Sequence, residues 1–383
     1  MNVLFLSSWY PTKKNPNFGI FVKEHAHAIH VSGNNIVVLA IVTAKSNKIF
    51  DVSTSDFKDE LGVRTIIVEI NSLFKNYINY LIPLQYIYLK KTTEFTMQSG
   101  FKPQIIHSNV IFPMGIMGSW LSKKLNIPHI ITEHWSRIQG FITIPFFSYW
   151  GKNAYLNAEK ILPVSRFLQN RIKTIIPELS ICKFKVVGNV VDSGTFFYSE
   201  KTEYPEPINF CAVATWATKK IPDKLPELFI EALSTFQKKT NRTITLTMIG
   251  GGDKIPELKE ICKKENLETY FTDYISKQDI AEHLHKADYF IHASKVETFG
   301  VVIAEALLCG TPVICSNVGA LPELINDSNG VLCENKVENW VNGLIEINNH
   351  NYNRKEISDQ IKSKYNLESI GRQLTDIYLN IVS

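Results

Sequence analysis

"ADYFIHASKVETFGVVIAEALLCGTPVICSN" (residues 287–317) reads as strand, loop, helix and strand in quick succession. ADYFIHAS is a short run of β-prone apolar residues, and SKVETFG has the polarity of a loop at a strand's carboxyl end. Val301 to Cys309 then follows helical spacing until Gly310 stops it and Pro312 closes it, after which PVICSN begins the next strand. Short buried strands alternating with helices imply a parallel sheet covered on both faces. The same rhythm extends in both directions. NVLFLSS (2–8), NIVVLAIVT (35–43), TIIVEI (65–70), QIIHSN (104–109) and HIITEH (129–134) are short β-rich runs separated by helical or loop segments. YPEPIN (204–209) reads as a linker, and beyond it FCAVAT, ITLTMIGGG and ETYFTDYI restart the pattern. The chain is therefore expected to form two doubly wound α/β domains, residues 1–190 and 191–367, with a last helix from about Glu368 to Ile381 packing back on the first. Ligands of such sheets sit outside the strands' carboxyl ends, so the expected site is the cleft between the domains.

Within the opening stretch, residues 293–314 carry only two acids, Glu297 in the loop and Glu305 in the helix's second turn. The helical neighbours of Glu305 three and four positions away are Val301, Val302, Leu308 and Cys309, all apolar, so its carboxylate is presented from a face built for burial. An unpaired charge there would be costly. A vicinal diol, such as the 2′ and 3′ hydroxyls of a ribose, would satisfy it. The backbone amides around Thr298 to Val301 form a helix N-terminus, where unpaired N–H groups and the dipole attract phosphate. One short element is thus suited to both the ribose and the diphosphate of a nucleotide.

Composition narrows the remaining classes. A chain of 383 residues, 45% hydrophobic, is long enough for two cores. No apolar run is long enough to span a bilayer and MNVLFLSSWYP lacks the marks of a secretory signal, so a cytoplasmic protein is expected. The six cysteines have no CxxC spacing and read as reduced core thiols. The formal charge of +4 hides an asymmetry: residues 1–190 carry 21 Lys and Arg against 10 Asp and Glu, and the remainder 20 against 27. The basic half suits an anionic contact, unless its lysines are only solvated surface. The glycines of IGGGD do not complete a dinucleotide fingerprint and read as a tight turn at a strand end.

The spacing E-x7-E in ETFGVVIAEALLCGTPVI, followed by NVGALPELINDSNGVL, resembles the signature of family 4 glycosyltransferases, retaining enzymes of the GT-B architecture. NPNFGIFVKEHAHAI is similar to their amino-terminal glycine loop and first helix, and IPHIITEHW to the strand ending in an active-site histidine. AEKILPVSRFL, KFKVVGNVVD and MIGGGDKIPELKEICKKENL also fit. The resemblance implies a GT-B fold of two Rossmann-like domains. It implies that Glu305 binds the ribose, that Glu297 binds donor-sugar hydroxyls, and that Thr298, Phe299, Gly300 and Val301 hold sugar or phosphate through their backbone. Gly19 fits a loop that approaches the donor, its plainer reading being a turn glycine. His134 would contact donor sugar or acceptor, a packed structural histidine being the rival reading, and Glu323 matches a further acid of weaker role. The base would lie near Thr272, Asp273, Tyr274 and Ile275. Family members often place an Arg and a Lys on the diphosphate in a G-R-x5-K-like stretch. Here Thr215 stands where Arg is common, and Lys220 fits the lysine better than Lys219, which would be a second cation.

The expected activity is therefore a retaining transfer of a hexosyl or N-acetylhexosaminyl unit from a nucleoside-diphosphate sugar, a UDP-sugar among them, to a glycan or lipid-linked acceptor in surface polysaccharide or glycoconjugate synthesis. No acidic cluster with metal-ligand character stands out. No cofactor or metal is expected, with Lys220, Lys219 and the helix amides stabilising the leaving diphosphate. Nucleic acid is not an expected partner. The aromatic and lysine-bearing runs 72–91 and 141–160 suggest a peripheral contact with an anionic membrane, the alternative being core helix with solvated lysines. Two other functions share this pattern: a sugar-nucleotide epimerase of the same fold, and a sugar-nucleotide-binding protein without turnover.

Overall fold

Among the described residues thirteen strands form, most of them in the apolar runs, and sort into two sheets. The structure is a computed structural model that describes residues 1–200, 206–218 and 224–382, and of Phe146 the backbone only. The first sheet holds β1 (Asn2–Ser7), β2 (Asn35–Lys45), β3 (Asp51–Lys58), β4 (Arg64–Ser72), β5 (Ile105–Asn109), β6 (His129–Glu133) and β7 (Lys160–Pro163). Their order is β3-β4-β2-β1-β5-β6-β7. Every pairing is parallel except β3 with β4. The second sheet holds β8 (Ile208–Val213), β9 (Ile244–Ile249), β10 (Glu268–Phe271), β11 (Tyr289–His292), β12 (Val313–Ser316) and β13 (Gly330–Cys333). It is parallel throughout, in the order β10-β9-β8-β11-β12-β13. The expected fold class, two Rossmann-like doubly wound α/β units, is what forms.

The chain divides into Met1–Val190 with Leu367–Ser383, and Val191–Asn366. In the first unit β1, with Val3 to Leu6 fully buried, lies between β2 and β5, which is where the strand order reverses. In the second, β8 lies between β9 and β11 for the same reason. Both switch points open at the strands' carboxyl ends, where neighbouring loops diverge and leave room for a ligand. The second core is closed by Trp340, Phe210, Phe229 and Phe236, all buried.

Three strands, β3, β7 and β13, lie outside the sequence expectation. β3 is mostly exposed and spells DVSTSDFK, so the apolar signal that marks buried strands is missing; it is held by antiparallel pairing to β4 alone. The terminal helix Leu367–Val382 packs on the helix Ile20–Val31 of the first unit. Gly371 permits the crossing, since a Cβ there would lie 2.2 Å from the Ala28 carbonyl oxygen. The hydroxyl of Tyr378 sits 2.6 Å from His107 Nδ1, and Asn34 donates to Thr375 Oγ1 at 2.7 Å.

Candidate active site

β11 ends at His292, and the loop beyond it brings Glu297 back against the strand. Lys224 donates to the Glu297 carboxylate, and His292 Nε2 lies 2.9 Å from Glu297 Oε1 and 3.0 Å from Lys224 Nζ. Burial on its own would raise the Glu297 carboxyl, but the Lys224 charge and the His292 ring outweigh it and hold it at about 2. His292 is lowered, first by burial and then by the Lys224 ammonium, so its ring is neutral at pH 7. Gly319 lets the following GALPE segment lie directly on this loop: its φ is 59°, a Cβ would stand 2.1 Å from the Glu297 carbonyl oxygen, and Ala320 donates to that oxygen at 3.0 Å. Glu323 is exposed, on the short turn that follows.

The helix Val301–Leu308 starts immediately after this loop, at Gly300 with φ 90°. Its positive φ disfavours any side chain, and a Cβ there would come 2.8 Å from Leu321 Cδ2, which would have to shift. Ile303 and Ala304 both donate to the Gly300 carbonyl, which leaves the amides of Val301 and Val302 ahead of the helical ladder. Phe299 is buried, edge-on to Tyr365 with ring centroids 5.2 Å apart, so Thr298 to Val301 can act through backbone. Glu305 is half-buried one turn further along, among the buried Ala304, Ala306, Leu308 and Cys309.

β8 ends beside the same loop. Thr215, where an arginine was considered, is exposed, while Trp216 is buried with its indole N–H on the Ile249 carbonyl at 3.2 Å. Asp253 anchors the next turn by accepting from the Thr218 amide and hydroxyl. Lys219 and Lys220, assigned to the diphosphate from sequence, lie outside the described residues. The chain returns at Lys224, which bridges to Ser294, and Leu225 donates to the Ala293 carbonyl at 3.0 Å. Lys224 is therefore the cation that the described structure sets on Glu297. Sequence reasoning passed over it for the lysines nearer the strand end; its position just ahead of the helix Pro226–Thr240 was the available signal.

The IGGGD glycines make the tight turn expected. A Cβ on Gly250 would stand 2.0 Å from the Ala214 carbonyl oxygen, and one on Gly252 would stand 1.9 Å from that of Trp216. Beside them, at the end of β10, are Thr272, Asp273, Tyr274 and Ile275; the exposed Tyr274 ring lies over Gly251, 2.5 Å from where its Cβ would be.

In the first unit His134 follows β6 and is buried. Its Nδ1 is 3.0 Å from Asn189 Oδ1 and its Nε2 3.3 Å from Asn109 Oδ1, with the Phe21 ring 4.9 Å away. Burial, with His25 nearby, lowers it well below the usual histidine range. A neutral ring donates from one nitrogen only. Both partner atoms are amide oxygens, and Asn109 already gives its amide to the Leu6 carbonyl at 3.3 Å, so either oxygen can only accept from the ring. Glu133, the last residue of β6, points inward: it accepts from the amides of Ile111, His134 and Trp135 and from the Tyr155 hydroxyl, at 2.8–2.9 Å. It fixes the loop that carries His134. Gly19, with φ 76°, begins the helix Ile20–Val31, and a Cβ there would lie 2.4 Å from the Trp9 carbonyl. Its close approach is to its own chain.

A cavity of about 440 Å³ opens at the carboxyl ends of this sheet, with Trp9, Phe18, Tyr80, Phe112 and Trp135 among its walls. The run 141–160 is divided between core and surface: Phe141 and Phe147 are buried and stacked 4.9 Å apart and Trp150 meets Trp120 edge-on at 5.0 Å, while Ile144, Tyr149 and Leu156 are exposed. Phe141 and Phe147 also pack against Phe112. Among the described residues, His27, Asp59 and Glu60 come within metal-binding range of one another, a proximity that their sequence separation concealed. Asp59 Oδ1 accepts from the Leu61 and Val63 amides and Glu60 pairs with Lys23 at 2.6 Å, so the group serves as a turn and surface staple. No helix among the described residues is long and apolar enough to cross a membrane.

Residues 19–194 match the family model described as Glycosyltransferase Family 4, and residues 218–364 match that of Glycosyl transferases group 1. The alpha-monoglucosyldiacylglycerol synthase of Streptococcus pneumoniae is 25% identical over 308 residues, spanning 74% of this chain and 67% of the relative. Sucrose-phosphate synthase from Thermosynechococcus elongatus superposes with TM-score 0.77 at 16% identity, covering 99% of each chain. HepE of Anabaena, solved with UDP, superposes with TM-score 0.73 at 16% identity, covering 99% of this chain and 100% of its own. With the E-x7-E element folded as a strand-end loop and helix N-terminus, and with both halves of the chain matched, this protein belongs to the family 4 glycosyltransferases of GT-B fold.

Proposed function

We propose that the chain transfers a hexosyl or N-acetylhexosaminyl unit from a nucleoside-diphosphate sugar, with retention, to a glycan or lipid-linked acceptor. The observation that carries this is the Lys224–Glu297–His292 cluster beside the first amides of the helix Val301–Leu308. Glu297 is ionised throughout the neutral range and can only accept hydrogen bonds, which suits sugar hydroxyls. Lys224 is a mobile point charge that a diphosphate would draw from Glu297, so donor binding would free the carboxylate for the sugar at the same moment. The helix amides, with Lys219 and Lys220, would share the leaving group's charge without a metal. Glu305, presented from the helix's second turn, suits a ribose diol. UDP is the first base to test, because HepE binds UDP. A peripheral place on an anionic membrane surface from the cytoplasmic side suits a lipid-linked acceptor, and the synthase from Streptococcus pneumoniae makes a glucosylated diacylglycerol by name.

Thermal shift across nucleoside diphosphates, then product analysis with the stabilising sugar nucleotide, tests this reading. A new glycosidic bond with retained configuration is expected; an epimerised donor or binding without turnover would overturn it. Glu305→Ala should weaken nucleotide binding by roughly 1.5–3 kcal/mol, the worth of hydrogen bonds to a charged group. His134→Ala should lose turnover and keep the nucleotide within a few-fold, since its site lies in the other unit.

A further inference from the structure

The cavity of the first unit has an electrostatic character that donor chemistry leaves unused. Lys14 from the loop after β1, Lys45 at the end of β2 and Lys75 at the start of the helix Lys75–Ile78 all line it, against the one carboxylate of Glu69. Lys14 is shared between Glu69, at 3.4 Å, and Asn71, at 3.1 Å. Lys45 and Lys75 have no carboxylate within ion-pair distance among the described residues. Three cations from three separate segments thus converge where one acid compensates them. The walls between them are aromatic, Trp9 with Trp135 at 6.3 Å and Tyr80 with Phe112 at 5.7 Å.

The segments that supply Lys45 and Lys75 also carry exposed apolar side chains. Leu73, Phe74 and Leu81 are half exposed and Tyr77 is 73% exposed. Ile49, 75% exposed, is tied to the same segment: Ser72 Oγ donates to the Ile49 carbonyl at 2.6 Å and Leu73 to that of Lys48 at 2.7 Å. Scattered single apolar residues need no explanation, but a contiguous group beside a cationic pocket marks a binding surface.

We infer that this cavity receives the acceptor and that the acceptor is an anionic amphiphile. Its phosphate or carboxylate sits among Lys14, Lys45 and Lys75, and its apolar chain leaves across Leu73, Phe74, Tyr77 and Leu81. The aromatic walls stack on the sugar or chain between them. The inference rests on the glycosyltransferase reading above and adds the class of its acceptor. Of the two runs expected to meet a membrane, 72–91 and 141–160, it uses the first.

Three soluble probes separate the components: octyl phosphate, octyl β-D-glucoside and glucose 1-phosphate, titrated calorimetrically into the full chain below micelle-forming concentrations, with UDP as a control. Octyl phosphate should bind at least about tenfold more tightly than either of the others, and the advantage should shrink as salt rises. Lys45→Gln with Lys75→Gln should reduce octyl phosphate to the affinity of octyl glucoside. Phe74→Ser with Tyr77→Ser should reduce it towards that of glucose 1-phosphate. Both double variants should bind UDP as the parent does, which shows that they are folded. Equal binding of octyl phosphate and octyl glucoside, or indifference to the lysine changes, would overturn the inference. Glucose 1-phosphate binding as tightly as octyl phosphate would overturn it in favour of a soluble anionic glycan. If the probes behave as expected but no nucleoside diphosphate binds, the pocket assignment stands and the donor reading fails.

Discussion

Glu297 shows how one residue's chemistry depends on neighbours distant in sequence. Burial would neutralise it; Lys224 and His292 keep it ionised, with its carboxyl at about 2. Because the folded value is depressed below the unfolded one, about 4.3, the stabilisation is fully present above that pH and is lost as pH falls from about 4.3 to 2. Lys224→Met removes the compensating charge and leaves the burial. The Glu297 carboxyl should then rise from about 2, as followed by carboxyl-carbon NMR, and transfer should be lost while the fold persists. If Lys220→Gln abolishes transfer and Lys224→Met does not, the diphosphate role belongs to the upstream lysine.

At the scale of elements, several functional segments are placed by glycines whose missing side chains are occupied by another chain segment. Gly319 seats GALPE on the Glu297 loop, and Gly371 lets the terminal helix cross Ile20–Val31 against the Ala28 carbonyl, 2.2 Å from where a Cβ would be. Gly371→Ala should therefore destabilise the first unit by about 1–3 kcal/mol, the usual cost of overpacking, read as a shifted urea midpoint. Nucleotide affinity should change little. Gly319→Ala should do the opposite, since its Cβ strikes the loop that aims Glu297: donor turnover should fall more than stability.

Across the whole molecule the prominent titration is a group of buried histidines in the first unit. Burial lowers His25 to about 4 and His129 to about 3, and holds His107 and His134 well below the usual range. The unfolded chain takes up protons near pH 6.5 that the native state refuses, so stability is present above 6.5 and declines below it, by up to about 1.4 kcal/mol per pH unit for each ring. Glu133, raised by burial against its hydrogen bonds, works the other way, but it is one group against four. The melting temperature should be nearly level from pH 8 to 7 and fall steeply between 6.5 and 5. A level profile across that lower range would show that these rings gain protons without unfolding.

What the sequence determined alone was whatever depends on local pattern. Apolar runs closed by Gly and Pro specified most strands, and the strand–loop–helix order of 287–317 specified the site's main element, because burial of a parallel strand and termination of a helix are properties of neighbouring residues. β3 escaped because an exposed edge strand carries no such signature. Tertiary structure decided which groups meet. Only folding sets Lys224 on Glu297 across 73 positions of chain, turns Glu133 inward to hold the His134 loop, buries Phe141 and Phe147 within the run 141–160, and gathers Lys14, Lys45 and Lys75 around one cavity. Electrostatic coupling and packing act through space, and residue order constrains those distances only after the sheets have closed.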